Sequence, residues 1–430
     1  MNNILPAERM VGLDEAMCLA RAYLHNKNIS FEFEAYGEAP ESYICTLYKD
    51  GHEISAGGGK GVDAGQSMVS AIFEAIEHSA LHYDFVKDRM TLKKSSVILK
   101  PVWYEDIPFS LLSDNEQNVM CIPYREIENG EEIYLPIALI NPSYIEAEEG
   151  HPKHRCFTSE HRQGDQFDYA SLMKYSTTSG ISAGTSAEEC VIHSVSEIIE
   201  RYTLGDFIIK FVALNNHEDY KCIRPSSLPD DLKALYFSCC KELHGSKLHI
   251  IDITSKRWGV PVYLVYLEHP EPAFRTFSGG ASLNNHYALE RALTEMLQRR
   301  AHPHSKLNSD EVEVRVAMEQ WYEKEYGDMN NDDVMRFFNI TKIRGGLSDI
   351  AECDFKDEGE GIREQNMCEY RHRLIDKVKS AGGEIYYAPL IDEDGVKVYS
   401  CFIHPFEPAF ILSSGRIVSL TRENFKMIKS

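Results

Sequence analysis

The spacing of apolar residues changes period several times along the chain. Between residues 8 and 28 they recur at helical spacing, which predicts an amphipathic helix, and between 43 and 48 they follow strand spacing. Gly57-Gly58-Gly59-Lys60-Gly61 then reads as a turn, and a helical pattern runs from 66 to about 84. Two further loop-helix units follow, over 179 to about 206 and 278 to about 302. Residues 248 to 252 and 260 to 267 read as strands joined by Lys256-Arg257-Trp258-Gly259. Near the end, residues 384 to 390 and 396 to 404 flank Asp392-Glu393-Asp394-Gly395, a hairpin signal. Residues 145 to 170 are polar and turn-rich and read as a long loop; 305 to 372 are charged, with helical stretches and an acidic bend at 354 to 360.

The loop-helix units repeat one another. At a constant offset of 123, Gly61 falls on Gly184, Ala64 on Ala187, Glu74 on Glu197, Ile76 on Ile199, Glu77 on Glu200 and His78 on Arg201. The third copy is shorter but in register, with Glu295-Met-Leu-Gln298-Arg299 matching Glu197-Ile-Ile-Glu200-Arg201. Each unit is therefore a small-residue loop feeding a helix that carries Glu-x-x-Glu/Gln and then Arg or His.

Residues three apart are neighbours on a helix face, so Glu74/Glu77, Glu197/Glu200 and Glu295/Gln298 each present paired oxygen ligands. One such pair is an ordinary solvated helix face. Three in register, flanked by small or apolar residues such as Ala71-Ile72-Phe73, Val195-Ser196 and Ala292-Leu293, predict helices packed closely with acids turned into a shared interior. Converging carboxylates suit Mg²⁺ held jointly with phosphate oxygens. Arg201, and Arg291 four residues before Glu295, would face the same anion. Gly57 to Gly61 fails the phosphate-loop pattern, because Gly61 follows Lys60 where Ser or Thr is required. His151, His154, Cys156 and His161 match no zinc spacing, and Cys239-Cys240 reads as a buried helix end.

Composition narrows the partners. With 45 basic and 67 acidic residues the net charge is -22, which repels nucleic acid and anionic membranes and favours a neutral or basic partner such as a peptide. Nucleotides then need Mg²⁺ or placed arginines. Eleven cysteines without Cys-x-x-Cys argue against disulfide or thiolate-zinc frameworks, and no apolar run approaches the roughly 18 residues of a membrane span, so a soluble cytoplasmic protein is expected.

At these residues the chain resembles the YcaO family. Ser179-Gly180 through Gly184-Thr185, Glu188-Glu189 and His193 to Glu197, Glu200 and Arg201 is similar to the family's second motif. The first is met by Gly59-Lys60-Gly61, Ser70-Ala71, Glu74 and Glu77; the third by Ala288 to Arg291, Glu295, Gln298 and Arg299. The resemblance covers about 50 to 410, leaving an N-terminal helix and strand segment (1–50) and a C-terminal tail (411–430). It implies an α+β fold with repeated loop-helix units around mixed sheets, binding ATP and Mg²⁺ without a Walker motif.

Carried over, Glu74, Glu77, Glu189, Glu197, Glu200 and Glu295 hold metal. Arg9, Thr185, Glu189, Glu197, Arg201, Arg291 and Gln298 contact nucleotide, with Arg201 and Arg291 catalytic. The implied reaction adds a nucleophile to a peptide carbonyl and phosphorylates the resulting oxyanion. The leading expectation is a cyclodehydratase subunit making azolines in a ribosomally synthesised peptide. The alternatives are thioamide or amidine formation, a catalytically idle nucleotide-binding partner, and an unrelated Mg²⁺-dependent ligase. Thr185 stands where Asn is common and His78 where Arg is usual, and the final stretch from 423 to 430 lacks the Pro-rich end of many azoline-forming members. The expected partners are a precursor peptide and a leader-binding, ubiquitin-activating-like protein, with a dehydrogenase as an optional further subunit and a homodimer compatible with the reading.

Overall fold

The computed structural model describes residues 7–113, 116–146, 157–243, 247–268, 276–298, 343, 346–357, 366–414, 416, 418–421 and 424. His151, His154, Cys156, Arg299, most of the charged stretch from 305 to 372 and nearly all of the tail beyond 421 lie outside them.

In chain order the elements are α1 (Leu13–Asn26), β1 (Ile29–Tyr36), β2 (Ser42–Lys49), β3 (His52–Gly59), α2 (Ala64–Ser79), β4 (Thr91–Lys94), β5 (Asn118–Glu126), β6 (Glu132–Pro136), β7 (Ile181–Gly184) and α3 (Ala187–Phe207). They continue with β8 (Lys221–Ile223), α4 (Asp230–Glu242), β9 (Lys247–Asp252), β10 (Val262–Glu268), β11 (Thr276–Ala281), α5 (Asn285–Gln298), β12 (Ala351–Cys353), α6 (Met367–Ser380), β13 (Glu384–Glu393) and β14 (Val396–His404). Helices and mixed sheets give the α+β class expected. Strands β1-β2-β3 form an antiparallel sheet; β11-β10-β9-β8-β12 form a second, and β4-β5-β13-β14-β7 with β6 beside β5 form a third.

The largest apolar cluster runs from Ala20 and Leu24 of α1 through Trp103, Tyr124 and Phe207 to Ile403, so the N-terminal segment packs into the same core as the rest. A second cluster lies where α4 and α5 cover β8, β9 and β10, around Leu232, Ile250 and Leu293. The β13/β14 hairpin predicted from its acidic turn is present, with Glu384 opposite His404.

Two expectations need correction. The first helix begins at Leu13, not 8: Glu8 is buried with φ 58 and Gly12 is the extended residue before the first turn, so residues 7 to 12 run as an irregular segment. Gly57 to Gly59 are strand, not turn, closing β3 opposite Tyr43 to Cys45 of β2. Their small size answers a packing demand, since a Cβ on Gly57 would lie 2.2 Å from Ala75 N of α2. Strand β1 was also legible in principle, with Ile29, Phe31 and Phe33 alternating with Ser30, Glu32 and Glu34.

Candidate functional site

The repeat seen in sequence is a strand-loop-helix unit occurring as β3-α2, β7-α3 and β11-α5. Each helix starts at a capping side chain: Asp63 accepts from Gln66 N–H, Ser186 from Glu189 N–H and Asn284 from Tyr287 N–H. Each cap stands eleven residues before the unit's first acid, 63 to 74, 186 to 197 and 284 to 295. A strand serine then clips each helix by donating to a helix carbonyl: Ser55 to Ala75 at 2.8 Å, Ser182 to Cys190 at 2.8 Å and Ser278 to Ala292 at 2.7 Å. Glycines let the backbones approach. A Cβ on Gly280 would lie 2.1 Å from Ala288 O, and one on Gly279 would lie 2.7 Å from Glu200 Oε1.

These constraints bring the acids of the three helices together. Gln298 of α5 donates from Nε2 to Gly58 O and to Glu74 Oε2 of α2, the latter at 3.2 Å. Glu77 of α2 accepts from Ala183 N–H of β7 at 3.1 Å, and Glu197 accepts from Gly180 N–H at 3.1 Å. Arg201 lies between its neighbours, 3.6 Å from Glu197 and 3.7 Å from Glu200. Lys60, just after β3, donates to Glu295 Oε2 at 2.9 Å. Glu189 sits apart at the start of α3, accepting from Thr185 N–H at 2.6 Å, Thr185 Oγ1 at 3.0 Å and the Met10 N–H. Thr185 thus keeps a polar role at the position where Asn is common. His78, where Arg is usual, is exposed and its Nδ1 lies 2.6 Å from Ala56 O.

Beside the acids opens a cleft of ≈ 770 Å³ of empty space, part of it open to solvent. Arg9, Lys60, Arg291, Thr185 and Glu189 line it, with Leu13, Val69 and Phe73 supplying an apolar end. All the candidate residues therefore fall on the cleft or on the acid cluster beside it. The Arg9 guanidinium donates from Nη1 to Glu8 O at 3.4 Å.

The acids of the cluster repel one another in a buried setting. Burial, and then the charges of Glu74 and Glu197, push the Glu77 carboxyl well above the usual carboxylate range, against the lowering effects of Ala183 N–H and Lys60. Burial likewise raises Glu200, with Arg201 opposing and Glu295 adding to the rise. Burial opposes the charge on Arg201, yet Glu200, Glu197 and Glu295 hold its proton more firmly than usual. Among the described residues no three His, Cys, Asp or Glu side chains close on one point as a finished metal site would.

A buried polar network behind the cleft was not foreseen. Glu8 Oε1 accepts from Ser282 Oγ at 2.6 Å and from Tyr370 Oη, while Glu8 Oε2 lies 3.8 Å from His193 Nδ1. Arg291 donates from Nη1 to His193 Nδ1 at 3.0 Å, so the imidazole carries its proton on Nε2, which has no partner among the described residues. Burial and the cations Arg9, Arg291 and Lys60 hold His193 well below its ordinary range, hence neutral. In sequence the signal for His193 was its place one helical turn before Glu197. Glu8 and Tyr370 meet only through contacts distant in sequence, which local periodicity does not report.

A family model described as YcaO cyclodehydratase, ATP- and Mg²⁺-binding, matches residues 58–404. An uncharacterized protein of Haemophilus influenzae is 31% identical over 187 residues, 43% of this chain and 25% of that protein, so the match spans a quarter of that relative's length. Among solved structures, YcaO from Methanopyrus kandleri bound with AMPPCP and Mg²⁺ is 18% identical, with a TM-score of 0.65 over 98% of this chain and 99% of the other. A heterocyclase in complex with substrate and cofactor gives 14% identity and a TM-score of 0.59 over 93% and 53% of the two chains. The E. coli microcin synthetase McbBCD complex with pro-MccB17 bound gives 13% and 0.51 over 87% and 86%. At these identities the structural likeness shows the fold. Among the described residues no helix is long and apolar enough to cross a membrane.

Proposed function

The chain belongs to the YcaO family, whose cofactors are ATP and Mg²⁺, and on that premise we propose that it is the ATP-dependent subunit of a peptide cyclodehydratase, forming azolines in a ribosomally synthesised peptide. The observation that carries the reading is the meeting of three in-register helices, through Gln298 and Glu74, Ala183 and Glu77, and Lys60 and Glu295, beside a cleft lined by Arg9, Lys60 and Arg291. In this reading residues 50–410 form the catalytic unit.

Each part of the site has an assigned task. The apolar end at Leu13, Val69 and Phe73 receives the base, while Arg9, Thr185 and Glu189 face the nucleotide's polar part. Glu74, Glu77, Glu189, Glu197, Glu200 and Glu295 hold metal, with Gln298 orienting Glu74. A divalent ion among these carboxylates would screen their repulsion and the charge of the phosphates. Arg201 and Arg291 stabilise charge on the transferred phosphoryl group, where preorganised donors contribute most to rate. In the reaction a Cys, Ser or Thr heteroatom of the peptide gives up its proton and bonds to the preceding carbonyl carbon, and the resulting oxyanion takes the γ-phosphoryl group as ADP leaves. The C–O bond then breaks with loss of phosphate while the amide nitrogen gives up its proton and forms C=N, for a net loss of water.

The pro-MccB17 in the microcin synthetase complex supports a peptide substrate, and the net charge of -22 disfavours unaided capture of an acidic leader by this chain. A leader-binding, ubiquitin-activating-like partner is therefore part of the proposal. Thioamide or amidine formation is the second reading, since the phosphorylation step is common to all three products. The test is intact-mass analysis of a candidate peptide incubated with this chain, the partner, ATP and Mg²⁺. Loss of one water with matching phosphate release supports cyclisation or amidine formation, and replacement of oxygen by sulfur would move the assignment to thioamide formation. Phosphate release that no peptide stimulates, with or without partner, would refute a peptide substrate.

A further inference from the structure

Lys60 is not accounted for by the repeat, because the corresponding positions of the other two units are Ala183 and Ala281. Its side chain follows Gly59 at the end of β3 and turns inward to Glu295 Oε2 at 2.9 Å, with side-chain exposures of 22% and 13% for the two partners. The charge acts across all three units: it opposes the rise at Glu77 of the first, and acts in the same direction on Glu200 of the second, besides pairing with Glu295 of the third. The same residue lines the cleft alongside Arg9 and Arg291. Lys60 therefore stands at the boundary between the acid cluster and the space assigned to nucleotide.

Resting on the nucleotide reading above, we propose that the Lys60 ammonium and the divalent cation compete for Glu295, so that metal loading releases Lys60 to the nucleotide phosphates. Glu295 cannot lend its full charge to two cations at once, and two cations on one carboxylate repel each other. Lysine suits the exchange: a compact point charge on a flexible four-carbon stem with three rotatable donors moves by rotamer change alone. Arg201, between Glu197 and Glu200, is a planar fork engaged on both sides and has no comparable freedom. The consequence is an order of assembly. Lys60 neutralises part of the acid cluster until metal takes Glu295, and only then does it join Arg9 and Arg291 in facing the phosphates.

The experiment measures Mn²⁺ binding by electron paramagnetic resonance, first without nucleotide, on wild type, Lys60→Met and Lys60→Arg, with thermal melts to establish folding. Lys60→Met should tighten Mn²⁺ about tenfold, while Lys60→Arg, which keeps the charge, should stay within about twofold of wild type. At saturating Mn²⁺, ADP binding by calorimetry should weaken at least about fivefold in Lys60→Met. Should Lys60→Met fail to fold, Lys60→Gln, still neutral but polar, takes its place. Unchanged or weaker Mn²⁺ binding in the neutral variant overturns the competition, and unchanged ADP binding overturns the transfer to phosphate. Wild-type protein that binds neither Mn²⁺ nor ADP would take down the nucleotide reading itself; equal binding by wild type and neutral variant takes down this proposal alone.

Discussion

Arg291 of α5 donates from Nη1 to His193 Nδ1 of α3 across 3.0 Å, joining the second and third repeats behind the cleft. A guanidinium accepts no hydrogen bond, so the imidazole must be the acceptor and must be neutral, as burial and the surrounding cations also require. The contact fixes one arm of Arg291, whose Nε is buried without a hydrogen-bond partner among the described residues.

The first prediction separates position from charge. His193→Leu removes the acceptor and should lower ATP turnover about tenfold or more, with a smaller change in KM, because Arg291 is displaced rather than lost. His193→Asn offers an oxygen near the place of Nδ1 and should restore most of the rate. Arg291→Lys keeps the charge without the fork and should reduce kcat more than nucleotide affinity. Equal turnover in the Leu and Asn variants at equal stability would show that the contact only packs the interior.

Two glycines that look alike in sequence should behave differently. A Cβ on Gly280 meets backbone, Ala288 O at 2.1 Å and Ala292 N at 2.6 Å, so Gly280→Ala must part α5 from β11. The expected cost is about 2 to 3 kcal/mol, read from chemical denaturation. A Cβ on Gly58 meets Gln298 Nε2 at 2.9 Å, the end of a flexible side chain. Gly58→Ala should cost under about 1 kcal/mol yet displace Gln298 from Glu74 and weaken stabilisation by Mg²⁺. Comparable losses in the two variants would contradict this division.

The contrast also marks what the sequence carried. The repeat was legible because one chemical demand, acids at Glu74, Glu197 and Glu295, recurs at fixed distance from the caps Asp63, Ser186 and Asn284, and a helix keeps its register. The glycine run from 57 to 59 misled because turn and close approach call for the same residue, and only the facing helix distinguishes them. The N-terminal start was misplaced for a similar reason: residues 8 to 12 continue the apolar spacing, but Glu8 is drawn into a buried network by Ser282 and Tyr370, more than 270 residues away in sequence. Contacts at such separation leave no local periodicity. Lys60 shows a third limit, since its type was plain but its partner Glu295 belongs to another unit.

A pH effect away from the site follows from Glu407. Burial raises its carboxyl to about 7, against the lowering hydrogen bonds from Ala409 N–H, Thr421 Oγ1 and Asn424 Nδ2. Because the folded value lies above the unfolded one, the group's contribution is fully present below the ordinary carboxylate range and is lost as pH rises through about 7. Thermal melts of wild type and Glu407→Gln at pH 5 and pH 8 should show the difference shifting toward the variant by about 2 to 3 kcal/mol. A pH-independent difference would mean that the carboxyl titrates in its ordinary range.

The acid cluster yields the most direct prediction, because it opposes function to stability. Glu77 is pushed up by burial, Glu74 and Glu197 together, so an amide at one of these positions removes a repulsion that folding must otherwise bear. Glutamine is the informative replacement, because Glu197 accepts from Gly180 N–H at 3.1 Å and the amide oxygen can keep that bond. Glu197→Gln and Glu200→Gln should therefore melt at or above the wild-type temperature without metal, while ATP turnover falls by about a hundredfold or more. Their gain in melting temperature on adding Mg²⁺ with ADP should shrink, since a ligand stabilises only as far as it binds the folded state. Arg201 links the two variants: in Glu200→Gln it keeps Glu197 at 3.6 Å, and in Glu197→Gln it keeps Glu200 at 3.7 Å. Neither single variant strands the guanidinium, but the double variant leaves it only the more distant charge of Glu295, and it should lose the stability that each single one retains. A double variant as stable as the singles would mean that Arg201 draws its compensation from elsewhere, and variants that turn over ATP normally would remove these carboxylates from the site.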